Sequence, residues 1–409
     1  MARSPHLVLL GGGHAMLPSL RHAQEWTDAG IEVTLIDPQR WLYYSGMVPE
    51  YLGGVYDVED IRIDLARLAR EGGVRFVQES ATALDPERRT VTTESGTEYS
   101  FDVLGTDVGG VNPAVPEAAV ATKPIYRIRA VEPHIQKVLR TPSSRLRLVI
   151  VGGGAAGTEV ALNVTGRFQG AGRTEDLDLT LVEQSEHLLP AFPAGMRRHA
   201  AHLLRGRGAT IRTGTSVTSV EAQEEGAVVR VSNTRGTSED LSAEAVLWAT
   251  GTVGPALFRK AGLSTDDRGF LHVTSRLRTP SHPRIFAAGD CATIPELELA
   301  KVGVHAVKQG PDLRTNLDRT LRGLIEENAL PVEEELVRFR SYPVAPLILS
   351  TGTREGIWTA GPLWASHSML LRLKHWIDRR WIQTYVPDRW GTASWRTLLG
   401  AESAEDPLR

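Results

Sequence analysis

The spacing with the most chemistry in it is that of three glycines, Gly152, Gly154 and Gly157. They lie in Leu-Arg-Leu-Val-Ile-Val-Gly-Gly-Gly-Ala-Ala-Gly-Thr-Glu-Val-Ala, residues 146–161. An apolar, β-branched run ends in a Gly-x-Gly-x-x-Gly turn and a helical pattern opens behind it, the context this spacing needs to hold a dinucleotide. The first glycine permits the tight turn, the second lets the backbone approach a pyrophosphate, and the third lets the helix pack close to its strand. The helix start offers free N–H groups and a positive dipole end to the phosphates. Residues 177–182 read as the next strand, stopping at Glu183. A carboxylate there accepts ribose hydroxyls and repels a 2′-phosphate, which favours NADH over NADPH.

A second copy of this pattern stands near the N-terminus. Leu-Val-Leu-Leu-Gly-Gly-Gly-His-Ala-Met, residues 7–16, places Gly11 and Gly13 in the first two positions but Met16 in the third. Residues 31–36 form a β-branched run ending at Asp37, where a carboxylate can take both hydroxyls of an adenosine ribose. Asp37-Pro38 also reads as a plain turn initiator. His14 admits two readings, a contact to a pyrophosphate or a polar residue at a helix start. Two further segments end in polar turns: Val-Leu-Trp-Ala-Thr-Gly at 246–251, with Thr250 and Gly251, and Ile-Phe-Ala-Ala-Gly-Asp-Cys-Ala at 285–292, with Gly289 and Asp290. Two dinucleotide turns in one chain point to FAD in one and a nicotinamide nucleotide in the other.

The elements that must position these turns follow from periodicity. Helical spacing is read over 14–28, 59–70 and from Gly303 onward, and strand patterns over 74–77 and, as hairpins broken at Glu94-Ser95-Gly96, over 81–108. Residues 41–54 read as an aromatic, glycine-rich loop, and Gly109, Gly110, Pro113 and Pro116 as a linker. With 409 residues the chain exceeds a single core. The expected division is 1–115 and 256–330 as two parts of an FAD-binding domain, 116–255 as an NAD(H)-binding domain, and 331–409 as a C-terminal region. A net charge of −3 gives no reason to expect nucleic acid. The single cysteine, Cys291, excludes an intramolecular disulfide and a dithiol redox pair. Glycines and His14 interrupt any signal-peptide pattern, no run approaches the roughly 18 apolar residues of a membrane span, and no metal-ligand spacing is present. A cytoplasmic protein, able to work at the cytoplasmic membrane surface, is expected.

With these segments in view the chain resembles the two-dinucleotide-domain flavoproteins of the pyridine nucleotide–disulfide oxidoreductase superfamily. Within it the likeness is to type II NADH dehydrogenases and to the NADH-dehydrogenase-like module fused to selenide, water dikinase. Gly-Gly-Gly-His-Ala at 11–15, Tyr-Ser-Gly-Met at 44–47 and Lys-Val-Gly-Val-His-Ala-Val-Lys-Gln-Gly-Pro at 301–311 resemble that module's motifs. Leu-Ile-Leu-Ser-Thr-Gly at 347–352 and Trp-Ile-Asp-Arg-Arg at 376–380 do so too. No kinase segment is read, so a stand-alone module is expected. The resemblance implies an α/β fold of two Rossmann-like dinucleotide-binding domains of the glutathione-reductase type, plus a C-terminal α+β region. It implies that Gly11, Gly13 and Asp37 hold the ADP half of FAD, with His14 a further candidate cofactor contact in the same turn. Ser45, Gly46 and Met47 would lie against the isoalloxazine, and Gly289 and Asp290 at the ribityl or pyrophosphate portion. Gly152, Gly154, Gly157 and Glu183 would hold NADH, with Glu159 near the nicotinamide. Thr250, Gly251, Lys301 and Val302 complete the implied cofactor contacts. Two departures from the family pattern stand out: Met16, and Thr106-Asp107-Val108-Gly109-Gly110 where many relatives carry Ala-Thr-Gly.

The implied activity is hydride transfer from NADH to FAD, catalysed with the help of Glu159 and Lys301, followed by electron transfer to an acceptor. Lys301 reads equally as an ordinary surface lysine. A lone Cys291 closes the dithiol routes, which leaves a quinone as the natural acceptor, without proton pumping. Residues 363–385 bear on this: Leu363, Trp364, Met369, Leu370, Leu373, Trp376, Ile377, Trp381 and Tyr385 recur at helical spacing beside Arg372, Lys374, His375, Arg379 and Arg380. Such a face lies in a membrane interface, or it packs on its own domain or on a second copy in a homodimer. Two other functions stay open: reduction of a small redox protein, and a slowly turning-over flavoprotein that senses redox state or serves a partner.

Overall fold

The computed structural model describes residues 4–297, 299–341, 344–387 and 389. The rest of the expected 331–409 region lies outside the described residues. The chain folds into two compact units. One comprises 1–42, 62–111 and 252–343; the other comprises 43–61, 112–251 and 344–409.

In the first unit, apolar strands stand in the order Ile285–Ala287, Val103–Thr106, His6–Leu10, Glu32–Ile36, Arg75–Val77, all parallel. The central strand carries Leu7, Val8, Leu9 and Leu10 with at most 1% of their surface exposed, as expected of a parallel strand covered on both faces. Between Arg75–Val77 and Val103–Thr106 the chain inserts an antiparallel meander of Ala81–Asp85, Thr90–Thr93 and Glu98–Ser100. The hairpin reading of 81–108 therefore holds for its first three strands. The last joins the parallel sheet instead, because it is buried on both faces and pairs with His6–Leu10.

The second unit repeats the plan. Its sheet runs Val120–Ala121, Ala245–Trp248, Leu146–Val151, Leu177–Val182, Thr210–Arg212, all parallel. The meander Thr215–Gln223, Gly226–Asn233, Ser238–Ala243 is inserted at the equivalent place. Val149, Val151, Val182 and Val246 of the sheet share one buried cluster with Val229, Val231 and Ala243 of the meander. In both units the glycine turn ends the central strand, at the carboxyl edge where the strand order reverses; ligands of open α/β sheets bind there.

Four sequence expectations need correction. The helical stretch 14–28 is broken into Leu17–Arg21 and Gln24–Asp28, and 59–70 is helical only over Leu65–Glu71, where Asp64 caps by accepting the Arg67 N–H at 3.1 Å. Residues 41–54 contain a helix, Val48–Leu52, started by a proline in its first turn. Residues 363–385 are not one helix. Leu363–His367 is the third strand of an antiparallel sheet with Leu347–Ser350 and Gly356–Ala360, and the helix is Ser368–Gln383. This C-terminal portion is part of the second unit, as is the 43–61 loop. Among the described residues no helix is long and apolar enough to cross a membrane.

Candidate functional site

The second unit shows what its glycines are for. Gly152 has φ +110°, and a Cβ on it would stand 2.4 Å from the Ala249 carbonyl oxygen. A Cβ at Gly157 would stand 1.9 Å from the Gly152 oxygen, so only glycine lets the helix Ala155–Gly170 start directly behind the turn. A Cβ at Gly154 would meet nothing within 4 Å. That direction is open, as a phosphate approaching the backbone requires. Glu183 is seated across the turn: its Oε2 accepts the Gly153 N–H at 2.6 Å and its Oε1 the Ser185 N–H at 2.7 Å. Each oxygen keeps a lone pair for a ribose hydroxyl. Asn112 holds the next turn by donating to the Thr250 oxygen at 2.8 Å and the Gly251 oxygen at 3.3 Å. The Thr250 hydroxyl is buried with no hydrogen-bond partner among the described residues, a donor and acceptor left for a ligand. The residues present fit a dinucleotide.

The first unit uses the same seat. Asp37 Oδ2 accepts the Gly12 N–H at 2.7 Å and its Oδ1 the Gln39 N–H at 2.7 Å. Burial raises the Asp37 carboxyl, against the two amides that lower it. Gly11, at φ +85°, passes 2.4 Å from the Asp107 carbonyl oxygen at its Cβ position. The two departures noted in the sequence meet here. The helix begins only at Leu17, since Met16 is fully buried where a third glycine would let it start earlier. Asp107 fills the gap: its Oδ2 accepts the Ala15 N–H at 2.7 Å, and its backbone oxygen accepts the Gly13 N–H at 3.2 Å. Burial pushes the Asp107 carboxyl up to about 7, with Asp290 and Asp37 adding to the rise and the Ala15 amide opposing it. Gly289 (φ +70°) crosses the same carboxyl, and its N–H is held by Gln309 Oε1 at 2.7 Å. His14 and Asp290 are half-buried beside this turn.

Lys301 is no surface lysine. It is half-buried, with its ammonium on the Ala292 carbonyl and 4.2 Å from the Phe270 ring centre, and burial lowers its pKa. Val302 caps the helix Gly303–Arg322 without any side-chain bond to its first-turn amides. Cys291 is buried with its thiol pushed up to about 12, first by burial and then by Asp107, so it does not furnish a reactive thiolate. No cluster able to hold a metal occurs among the described residues.

Ser45, Gly46, Met47 and Glu159 belong to the second unit, around an ionic core that periodicity misread. Lys374 and His375, expected on an exposed basic flank, are buried. The Lys374 ammonium donates to Glu50 Oε2 at 2.6 Å, the Gly46 oxygen at 2.6 Å and Asp378 Oδ2 at 2.8 Å. His375 Nε2 pairs with Glu50 Oε1 at 2.6 Å, and Tyr44 donates to Asp378 Oδ1 at 3.0 Å while stacking on Trp381. Burial alone would raise Glu50, but Lys374 and His375 outweigh it and hold the carboxyl at about 2. Glu159 accepts the Ser350 N–H at 2.8 Å and is pushed up to about 7 by burial, against the pull of Lys374. Met47 is buried and Ser45 half-buried.

Two parallel-sheet units, each with a glycine turn and a strand-end carboxylate seated on its middle glycine, define a two-dinucleotide-fold protein. A family model described as pyridine nucleotide-disulphide oxidoreductase matches residues 5–310. The chain belongs to this family and is an oxidoreductase. It is 26% identical over 339 residues to a type II NADH:quinone oxidoreductase of Staphylococcus aureus, covering 78% of this chain and 83% of that one. Its fold is similar to that of NDH2 from Plasmodium falciparum, solved with NADH: TM-score 0.76, 13% identity, 95% of this chain and 99% of the other. It is also similar to that of the sulfide:quinone oxidoreductase of Aquifex aeolicus: TM-score 0.72, 17% identity, 98% and 93%.

Proposed function

We propose that the protein is an NADH-dependent flavoprotein that reduces a quinone. FAD and NAD(H) are its cofactors. The observation that carries the reading is the duplicated seat, Gly12 on Asp37 and Gly153 on Glu183, in a chain whose one thiol is buried and protonated. Two dinucleotides with no dithiol leave a small acceptor as the electron sink, and the relationship to a type II NADH:quinone oxidoreductase supports a quinone.

When bound, the flavin supplies the two-electron chemistry between nicotinamide and acceptor. Gly11, Gly13, His14, Asp37, Gly289 and Asp290 hold its nucleotide and ribityl portions; Lys301 and the helix start at Gly303, which Val302 precedes, present positive charge to it. Gly152, Gly154, Gly157, Glu183, Thr250 and Gly251 hold NADH, and Glu183 selects it over NADPH. Glu159, poised near neutrality, holds or gives up a proton at its carboxyl. Ser45, Gly46 and Met47 form a turn of the second unit that is fixed by the Lys374 bond to the Gly46 oxygen.

The second unit also presents Leu363, Trp364, Met369 and Ile377 with 63%, 37%, 38% and 44% of their surface exposed. Exposed Arg372 and Arg380 flank them. We infer that this corrected face, a strand plus a helix, docks the protein on a membrane surface where quinone resides. The test is direct: the purified protein is yellow, NADH bleaches it without oxygen, and a soluble quinone restores the colour. Flavin that stays oxidised under NADH and NADPH overturns the reading.

A further inference from the structure

The two glycine turns differ at one point that the shared fold does not require. At Gly154 a Cβ would meet nothing within 4 Å, whereas at Gly13 it would stand 2.3 Å from the Asp107 carboxyl carbon. The second glycine is where a dinucleotide's pyrophosphate passes closest to the backbone. In the first unit that passage runs against a carboxyl group, which also takes the Ala15 N–H at 2.7 Å, one of the amides a phosphate would use. Asp107 is 3% exposed. The titratable groups around it are Asp37 at the end of the neighbouring strand, Asp290 and the protonated Cys291 on the Gly289–Cys291 turn, and His14 in the glycine turn itself. Lys301 is a nearby cation, and its ammonium is bonded to the Ala292 oxygen. An ionised Asp107 would face a diphosphate at short range in a buried site, with two further carboxylates behind it. Like charges so placed do not both persist.

We propose that Asp107 makes flavin retention proton-linked: the first turn takes the FAD diphosphate with Asp107 in its neutral acid form, its O–H donated to a phosphate oxygen. The proton comes from water, one per nucleotide bound at pH values where the free turn is ionised, and returns when FAD leaves. This rests on the assignment of FAD to the first unit. It differs from a bare anion hole in its sign, since loss of a proton weakens binding instead of leaving it unchanged.

The experiment measures FAD released from the holoprotein on dilution, by flavin fluorescence, between about pH 6 and about pH 9. In the wild type the dissociation constant is expected to rise about tenfold per pH unit above neutrality. In Asp107→Asn, whose amide oxygen still accepts the Ala15 N–H, it is expected to stay flat and tight across the range. Calorimetric titration of the deflavinated wild type in two buffers of different ionisation heat should register uptake of about one proton at alkaline pH, and none in the variant. A flat wild-type profile, or the same slope in Asp107→Asn, overturns the inference and leaves FAD binding intact. A wild type that takes up no FAD at any pH overturns the cofactor assignment as well.

Discussion

Glu183 accepts the backbone N–H of Gly153 at 2.6 Å, from the end of the neighbouring strand of the parallel sheet. That bond fixes the carboxylate before any nucleotide arrives, so on the proposed assignment its remaining lone pairs would meet the ribose without a search through rotamers. A bond to a charged acceptor contributes about 1.5–3 kcal/mol. Glu183→Ala is therefore expected to raise KM for NADH at least about tenfold and to narrow the preference over NADPH. Steady-state kinetics with both nucleotides checks this; an unchanged ratio would count against the selectivity assigned to Glu183.

Gly154 separates site from fold. Its Cβ position is open, so Gly154→Ala should unfold at nearly the wild-type temperature, within the roughly 0.5 kcal/mol of a surface change. NADH binding should be lost, because the methyl group occupies the pyrophosphate's path. Isothermal titration beside thermal unfolding reads both. A variant that binds NADH normally would remove the second turn from the site.

Lys374 holds two buried carboxylates, Glu50 and Asp378. Lys374→Met removes the buried cation from both, leaving Glu50 only His375 and Asp378 only the Tyr44 hydroxyl among the described residues, and removing one partner of a buried pair costs about 3–5 kcal/mol. The variant should unfold at much lower denaturant, whereas Arg380→Met on the exposed side should change little. Glu50 also sets an acid limit. Its folded carboxyl sits at about 2, below its ordinary value of 4.5, so its contribution is present above about pH 4.5 and is lost as pH falls toward 2.

Glu159 has the opposite sign. Its carboxyl is raised from 4.5 to about 7 in the folded chain. The folded state thus binds the proton more tightly, and stability is full below about pH 4.5 and falls as pH rises through 7. Glu159→Gln, which keeps an oxygen for the Ser350 N–H, should gain of the order of 1–3 kcal/mol at pH 8 and little at pH 4. Turnover should lose its dependence on pH near neutrality. Denaturation at the two pH values, with a pH–rate profile, tests both.

On the exposed face, Leu363→Glu with Ile377→Glu should abolish flotation with anionic vesicles while leaving the reduction of a soluble quinone intact. Trp381→Leu should instead cost stability, since Trp381 stacks on Tyr44 at 4.2 Å between ring centres. Vesicle binding unchanged in the double variant would contradict docking through this face.

Both glycine turns, both strand-end carboxylates and the paired parallel sheets were legible in the sequence, because each rests on local spacing. What local spacing cannot carry is the partner of a buried charge. Lys374 and His375 look like a basic flank on their own helix, and their partner Glu50 lies in a different part of the chain. Leu363–His367 fits a helical count as well as a strand, because apolar residues match both periods over so short a stretch. Met16 and Asp107 each showed as a departure. Only the fold reveals that they are coupled, with Asp107 meeting the amide that the displaced helix start leaves open.

The central claim, that NADH reduces a flavin held by this chain and a quinone takes the electrons, is tested most directly by anaerobic rapid mixing of the yellow holoprotein with NADH. The account predicts loss of the oxidised flavin absorbance, faster with NADH than with NADPH, and its return on adding a soluble quinone. Flavin that remains oxidised with either nucleotide, or that stays reduced when quinone is added, would contradict it.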